Sequence, residues 1–117
     1  MSDFRILVVE DRDSLRRMLD HALSGEGYWV DTAPSAEAGI EKIEQSEFDL
    51  VLTDLKLPGR SGIDVLKASR ELHPGVPVVV LTAYGTVHTA VEAMKEGAAD
   101  FLEKPVEIDD LFRLVAY

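Results

Sequence analysis

The chain has 117 residues, the size of one ordinary domain, with 46% hydrophobic and 29% charged residues. It contains no cysteine, no apolar run near the roughly 18 residues of a membrane span and no secretory leader pattern, which excludes a disulfide scaffold and a membrane protein. The net charge of −10 argues against direct nucleic-acid binding, and we expect a globular domain in the cytoplasm.

Strand patterns and helix patterns alternate along the chain. Strands are predicted at residues 4–9, 28–33, 48–53 (closed by Asp54), 78–81 (closed by Thr82) and 99–102. Between them, apolar residues recur at the spacing of a helix face, first at Leu15, Met18, Leu19, Ala22 and Leu23. Five short βα repeats predict one parallel sheet with helices on both faces.

The helix ends are also visible in the sequence. Ser35 is predicted to cap the second helix, and Thr86 is predicted to cap the fourth. The inward face of the fourth helix is predicted to be Val87, Ala90, Val91 and Met94. The last helical pattern reaches the end of the chain without a Gly or Pro stop signal, so we expect residues 1–117 to be one domain of a longer protein.

Polar residues follow the ends of four predicted strands. Asp54 closes the third strand, Glu10 and Asp11 follow the first, Thr82 ends the fourth, and Lys104 comes just after the fifth. Ligands of open α/β sheets bind outside the carboxyl ends of the strands. We therefore expect three carboxylates, a hydroxyl and an amine at one edge of the sheet.

Carboxylates without histidine or cysteine suit a hard cation such as Mg²⁺. Glu10, Asp11 and Asp54 can supply that site, together with a backbone carbonyl from the loop after Asp54. The metal would relieve the repulsion among the acids, and Lys104 would relieve more. A carboxylate neutralised in this way can attack phosphorus, while Mg²⁺, Lys104 and the Thr82 hydroxyl neutralise the transferred oxygens.

Four motifs together identify a family. They are Glu10-Asp11, Asp54 followed by Leu57-Pro58-Gly59, Thr82-Ala83 and Lys104-Pro105. Each is weak alone, but on five βα units, in this order and spacing, they resemble the receiver domain of two-component response regulators. The resemblance covers nearly the whole chain. It implies a flavodoxin-like (βα)5 three-layer sandwich with the sheet order 2-1-3-4-5.

The resemblance also implies a role for each residue. Asp54 would accept a phosphoryl group from the phosphohistidine of a sensor histidine kinase. Asp11 and Asp54 would bind Mg²⁺ directly, Glu10 mostly through water, and the backbone carbonyl of Lys56 would complete the site. Thr82 and Phe101 correspond to the family's switch pair, a hydroxyl that moves to the phosphate and an aromatic ring that follows it inward. Phe101 as an ordinary core residue is the alternative.

Residues 84–94 and 97–105 look like a narrower subfamily. They resemble receivers of the nitrogen-regulation type, which control an ATPase that activates sigma-54 transcription. The implied partners are the kinase, an output domain or downstream protein, and a second copy of the chain on phosphorylation. We also predict that Lys56 and Tyr84, which flank the phosphoryl group, set how long the phosphate lasts.

Three other functions compete with this interpretation. A hydrolase with an aspartyl-phosphate intermediate usually carries a second acid two residues after the nucleophile, and Lys56 occupies that position here. A degenerate receiver that only binds proteins would have lost acids or Lys104, and none is lost. A stand-alone receiver acting by protein–protein interaction remains open. We expect the chain to catalyse only its own phosphorylation and dephosphorylation at Asp54, and not to be an enzyme otherwise.

Overall fold

Strands and helices alternate in a computed structural model of the protein, which describes residues 4–83 and 87–116 apart from the side chains of Val87 and Thr89. The strands are β1 (Arg5–Val9), β2 (Trp29–Ala33), β3 (Leu50–Asp54), β4 (Val78–Thr82) and β5 (Asp100–Glu103). The helices are α1 (Asp13–Gly25), α2 (Ala36–Gln45), α3 (Gly62–Leu72), α4 (Val87–Lys95) and α5 (Ile108–Ala116). None of the helices in the described ranges combines the length and apolar character that crossing a membrane requires.

The strands form one parallel sheet in the order β2-β1-β3-β4-β5. This confirms the predicted 2-1-3-4-5 topology. Successive residues of a strand point to opposite faces, so each central strand contributes side chains to a hydrophobic core on each face of the sheet. Leu7, Val51 and Val80 pack on the side of α2 and α3, whereas Val8, Leu52 and Leu81 pack on the side of α1 and α5. The result is the predicted three-layer sandwich.

Serine side chains cap two of the helices. Ser35 Oγ accepts a 3.2 Å hydrogen bond from the Ala38 N–H at the start of α2, as predicted. Ser61 caps α3 with a capping box, in which the Asp64 carboxylate accepts from the Ser61 N–H at 3.2 Å. These caps satisfy N–H groups that the first helical turn leaves without partners. The predicted cap Thr86 lies outside the described residues.

Two predicted details were wrong. β3 begins at Leu50 rather than at Phe48, because Phe48 enters the core from the preceding loop and the Asp49 carboxylate accepts the Arg5 N–H at 2.8 Å. On α4, Val91 and Met94 are 47% and 41% exposed, although they were predicted to face inward. Ala90 is buried as predicted, and Ala93 is buried although it was not predicted to be.

Candidate functional site

The strand register brings the predicted polar residues to one edge of the sheet. Val9 pairs with Thr53, so Glu10 and Asp54 are the next residues on neighbouring strands. Asp54 pairs with Leu81 on the other side, so Thr82 lies one position beyond Asp54. Thr82 pairs with Glu103, the last residue of the outer strand β5, and Lys104 comes directly after that strand.

Asp54 is 4% exposed, and both of its carboxylate oxygens have partners. Oδ1 accepts a 3.2 Å hydrogen bond from the N–H of Lys56, two residues further along the chain. Oδ2 accepts a 2.7 Å hydrogen bond from the ammonium of Lys104. The carboxylate is therefore held in one orientation at the carboxyl end of β3.

Glu10 is fully buried, which is unusual for a carboxylate. Its Oε2 accepts the Arg12 N–H at 2.9 Å. Its Oε1 lies 3.1 Å from Lys104 Nζ but has no well-directed hydrogen bond within the described part of the chain. Burial raises the pKa of Glu10, the Arg12 hydrogen bond opposes this effect, and the negative charge of Asp54 adds to it.

Lys104 joins the two acids. Burial alone would lower the pKa of Lys104, but its hydrogen bond to Asp54, its close contact with Glu10 and the negative charges of both carboxylates outweigh that effect and leave the pKa above its usual value. The side chain is therefore an ammonium ion at neutral pH. Its backbone is anchored as well, because the Lys104 N–H donates a 2.7 Å hydrogen bond to the carbonyl of Thr82.

Three carboxylates meet beside this ammonium. Glu10, Asp11 and Asp54 each place one oxygen within 4.8 Å of the other two. The donor set consists of oxygen atoms only, and the buried Glu10 Oε1 lacks a well-directed partner among the described residues. Mg²⁺ and Ca²⁺ prefer such ligands. These residues fit a hard divalent cation, and Asp11 is exposed to solvent.

The other predicted site residues lie around this cluster or outside the described residues. Thr82 is 3% exposed at the end of β4. Phe101, on β5 opposite Val80, is 38% exposed and is not among the buried core residues. The side chain of Lys56 is exposed, and only its N–H contacts Asp54. Tyr84 lies outside the described residues, so its predicted role in phosphate lifetime stays a prediction.

One residue that sequence reasoning missed holds the loop between β1 and α1. The guanidinium of Arg16 donates to the carbonyl of Glu10 at 2.9 Å and contacts the carbonyl of Asp11 at 3.5 Å. It also pairs with Asp13. Arg16 therefore fixes the backbone that carries two of the three acids. The only sequence signal is an arginine in the first turns of a helix, where the dipole disfavours a cation.

A known protein family matches this chain over nearly its whole length. The family described as response regulator receiver domain matches residues 6–116. The chain therefore belongs to the receiver domains of response regulators, as the resemblance predicted.

Two curated relatives are transcriptional or response regulators. The chain is 44% identical over 106 residues to the transcriptional regulatory protein ZraR of Escherichia coli, covering 91% of this chain and 24% of ZraR. It is 39% identical over 116 residues to the response regulator protein PilR of Pseudomonas aeruginosa, covering 99% of this chain and 26% of PilR. The chain thus spans about a quarter of the length of each of these relatives.

A solved structure supports the narrower resemblance. The receiver domain of NtrX from Brucella abortus superimposes with a TM-score of 0.89 at 35% identity, covering 95% of this chain and 94% of that one. Together with ZraR and PilR, this neighbour agrees with the predicted similarity to receivers of the nitrogen-regulation type.

Proposed function

We propose that Asp54 is the phosphoacceptor of a signalling switch. The observation that carries the proposal is the contact of Lys104 with Asp54 Oδ2 at 2.7 Å, beside two further carboxylates that both follow the adjacent strand β1. A structural ion pair would not need Glu10 buried next to a second acid. Buried carboxylates that repel each other are characteristic of sites that bind a cation or do chemistry.

The reaction moves one phosphoryl group. A carboxylate oxygen of Asp54 forms a bond to phosphorus while the bond from phosphorus to the imidazole nitrogen of the donor phosphohistidine breaks, leaving the electron pair on that nitrogen. Hydrolysis by water then returns the carboxylate and releases inorganic phosphate. We propose that the chain catalyses only its own phosphorylation and dephosphorylation at Asp54 and is not an enzyme otherwise.

Lys104 and the three acids have separate tasks in this proposal. Before transfer Lys104 offsets part of the negative charge of Asp54 and Glu10, and after transfer it would bind an oxygen of the phosphoryl group. Glu10, Asp11, Asp54 and the backbone carbonyl of Lys56 would hold Mg²⁺, which when bound neutralises charge on the phosphoryl oxygens. The Thr82 hydroxyl would then bind another oxygen of the same group.

Membership of the family supports a proposal about the partners. We propose that the chain works in the cytoplasm, that a sensor histidine kinase donates the phosphoryl group, and that the altered surface controls an output domain or a downstream protein in transcription regulation. ZraR is named a transcriptional regulatory protein, which supports that output. An output ATPase of the sigma-54 activator class and a homodimer formed on phosphorylation belong to the same proposal. The alternative is a stand-alone receiver.

Mass spectrometry tests the phosphoacceptor directly. Wild-type protein incubated with acetyl phosphate and Mg²⁺ is expected to gain one phosphoryl group, and Asp54→Asn or added chelator is expected to prevent it. Asp49→Asn is the matched control, because Asp49 stands just before the opposite end of β3 and its oxygen can still accept the Arg5 N–H. Labelling of Asp54→Asn at the wild-type rate would disprove the proposal, as would loss of labelling in Asp49→Asn alone.

A further inference from the structure

The first residue of α3 lies directly against the backbone of Asp54. Gly62 is buried, and its N–H donates a 2.9 Å hydrogen bond to the carbonyl of Leu55. A Cβ at position 62 would lie 2.0 Å from the carbonyl oxygen of Asp54 and 2.8 Å from its carbonyl carbon. Both distances are shorter than a Cβ tolerates, so any side chain here would displace the backbone.

The peptide between Asp54 and Leu55 is held on its other sides too. The hydroxyl of Thr53, which is fully buried, donates a 3.0 Å hydrogen bond to the Asp54 carbonyl. The Leu55 N–H donates to the carbonyl of Leu81 on β4 at 3.1 Å. Together with Gly62 at the start of α3, these contacts from β3 and β4 hold the peptide in place.

The start of α3 is itself held in place. Ser61 Oγ accepts the Ile63 N–H at 3.1 Å, and the Asp64 carboxylate closes the capping box. A capped helix end frays less than an uncapped one. The first turn of α3 therefore restricts the movement of the peptide between Asp54 and Leu55.

We propose that Gly62 is a positioning residue for the site at Asp54 and that the Thr53 hydroxyl shares this role. The inference rests on the proposed function. Because the fixed peptide leads straight into Lys56, it sets the direction of the Lys56 backbone, whose N–H donates to Asp54 Oδ1 at 3.2 Å. A shift of the peptide would move the carboxylate and this backbone group together, away from the oxygens of Glu10 and Asp11.

Calorimetric titration with Mg²⁺ alone tests the role without any phosphodonor. Gly62→Ala is expected to bind Mg²⁺ about 10- to 100-fold more weakly, the usual cost of disturbing groups that orient metal ligands. Gly39→Ala is the matched control, because Gly39 is also a buried helical glycine, but the atoms nearest to its Cβ would all belong to the Val9 side chain, the closest at 2.7 Å. Melting curves would show that both variants are folded at the titration temperature.

The outcomes separate positioning from packing. Weak Mg²⁺ binding in Gly62→Ala with wild-type affinity in Gly39→Ala supports the proposal. Wild-type affinity in a folded Gly62→Ala, or equal losses in both variants, overturns it.

A second variant applies if Gly62→Ala does not fold. Thr53→Val keeps the side-chain shape but removes the hydroxyl from the Asp54 carbonyl, and several-fold weaker Mg²⁺ binding is expected. Unchanged affinity in Thr53→Val would overturn the proposal. Failure of the wild-type protein to accept a phosphoryl group would refute the proposed function instead, and the Mg²⁺ titrations would still decide the role of Gly62.

Discussion

The Lys104 ammonium and the Asp54 carboxylate lie 50 positions apart in sequence and 2.7 Å apart in the fold. The lysine follows β5 and the aspartate ends β3, so β4 separates them in the sheet. Lys104 reaches across that strand because its N–H is bonded to the carbonyl of Thr82 at the end of β4. The same ammonium lies 3.1 Å from Glu10 on β1. A single cation thus offsets charge at the ends of two other strands.

Removing that cation is expected to destabilise the metal-free protein. In Lys104→Met the buried Glu10 and Asp54 keep their mutual repulsion and lose their counter-charge. Breaking a fully buried pair costs about 3–5 kcal/mol, and we expect about 1–3 kcal/mol here because the lysine is partly exposed. Urea unfolding in chelator measures the loss, and added Mg²⁺ is expected to recover part of it.

Lys67→Met is the control for the loss of a lysine charge. Lys67 is exposed on α3 and has no ion pair among those described, so its replacement is expected to change stability by less than about 0.5 kcal/mol. Equal stability of Lys104→Met and Lys67→Met would show that the ammonium does not offset the buried acids.

Neutralising Glu10 is expected to have the opposite effect on stability. Because burial raises the pKa of Glu10 in the fold, the native state binds a proton more readily than the unfolded state between the ordinary and the raised pKa. Stability contributed by this residue therefore falls as pH rises through that window and stays low above it. Glu10→Gln, in which the amide keeps the shape without the charge, should melt at a higher temperature than wild type at neutral pH without metal.

The pH dependence of this difference is the test. The advantage of Glu10→Gln is expected to shrink as pH falls and wild-type Glu10 becomes protonated. Melting curves from pH 4 to pH 8 in chelator would show this trend. A difference of 1 kcal/mol in the free energy of unfolding corresponds to about 4 °C in melting temperature. A lower melting temperature of Glu10→Gln at neutral pH would mean that the ion pair with Lys104 outweighs the burial of charge.

Asp11 is expected to matter more for Mg²⁺ than Thr82 does. Asp11 contributes a carboxylate oxygen to the cluster, whereas the Thr82 hydroxyl is proposed to act only after the phosphoryl group arrives. Asp11→Ala should therefore weaken Mg²⁺ binding strongly, and Thr82→Ala should leave it near the wild-type value. Calorimetry is the suitable measurement, since Trp29 begins β2 at the opposite edge of the sheet from the site and would report poorly. If Asp11→Ala bound Mg²⁺ with wild-type affinity, Asp11 would not be a ligand of the ion.

The strand ends were predictable from the sequence because apolar runs stop abruptly at charged or turn residues. Glu10, Asp54 and Lys104 each stand at such a boundary, and parallel connection places all boundaries of one kind at one edge. The inward face of α4 was not predictable in the same way. There Ala90 and Ala93 are buried whereas the larger and more hydrophobic Val91 and Met94 are exposed, so hydrophobicity alone does not identify the inward face.

The supports of the site were harder still to predict. Arg16 acts through two backbone carbonyls, and Gly62 acts through the space that a missing side chain leaves. Neither interaction depends on a residue pattern near its target. Both appear only when the loop after β1 and the start of α3 are placed in three dimensions.

Phosphorylation is expected to reorganise the face that carries Phe101. Val91, Met94 and Phe101 are all exposed large apolar side chains on α4 and β5. If the Thr82 hydroxyl moves to the phosphoryl group, space opens beside β4, and the neighbouring Phe101 ring can turn into it. Shifting the population from 1:99 to 99:1 requires about 5.5 kcal/mol. Two to three charge-assisted hydrogen bonds of about 1.5–3 kcal/mol each can supply that energy.

Amide chemical shifts with and without beryllofluoride, a phosphoryl mimic, check this switch. With Mg²⁺ present, we expect changes at Asp54 and Lys104 and also along residues 87–103, because α4 and β5 must follow Thr82 and Phe101. Asp54→Asn with the same reagents is the control and should show none of these changes. Thr82→Ala should keep the changes around Asp54 but lose those at Phe101, because the hydroxyl is the link between the two places. Shifts confined to the loop after Asp54 in the wild-type protein would contradict the switch and leave Phe101 as an ordinary residue of an edge strand.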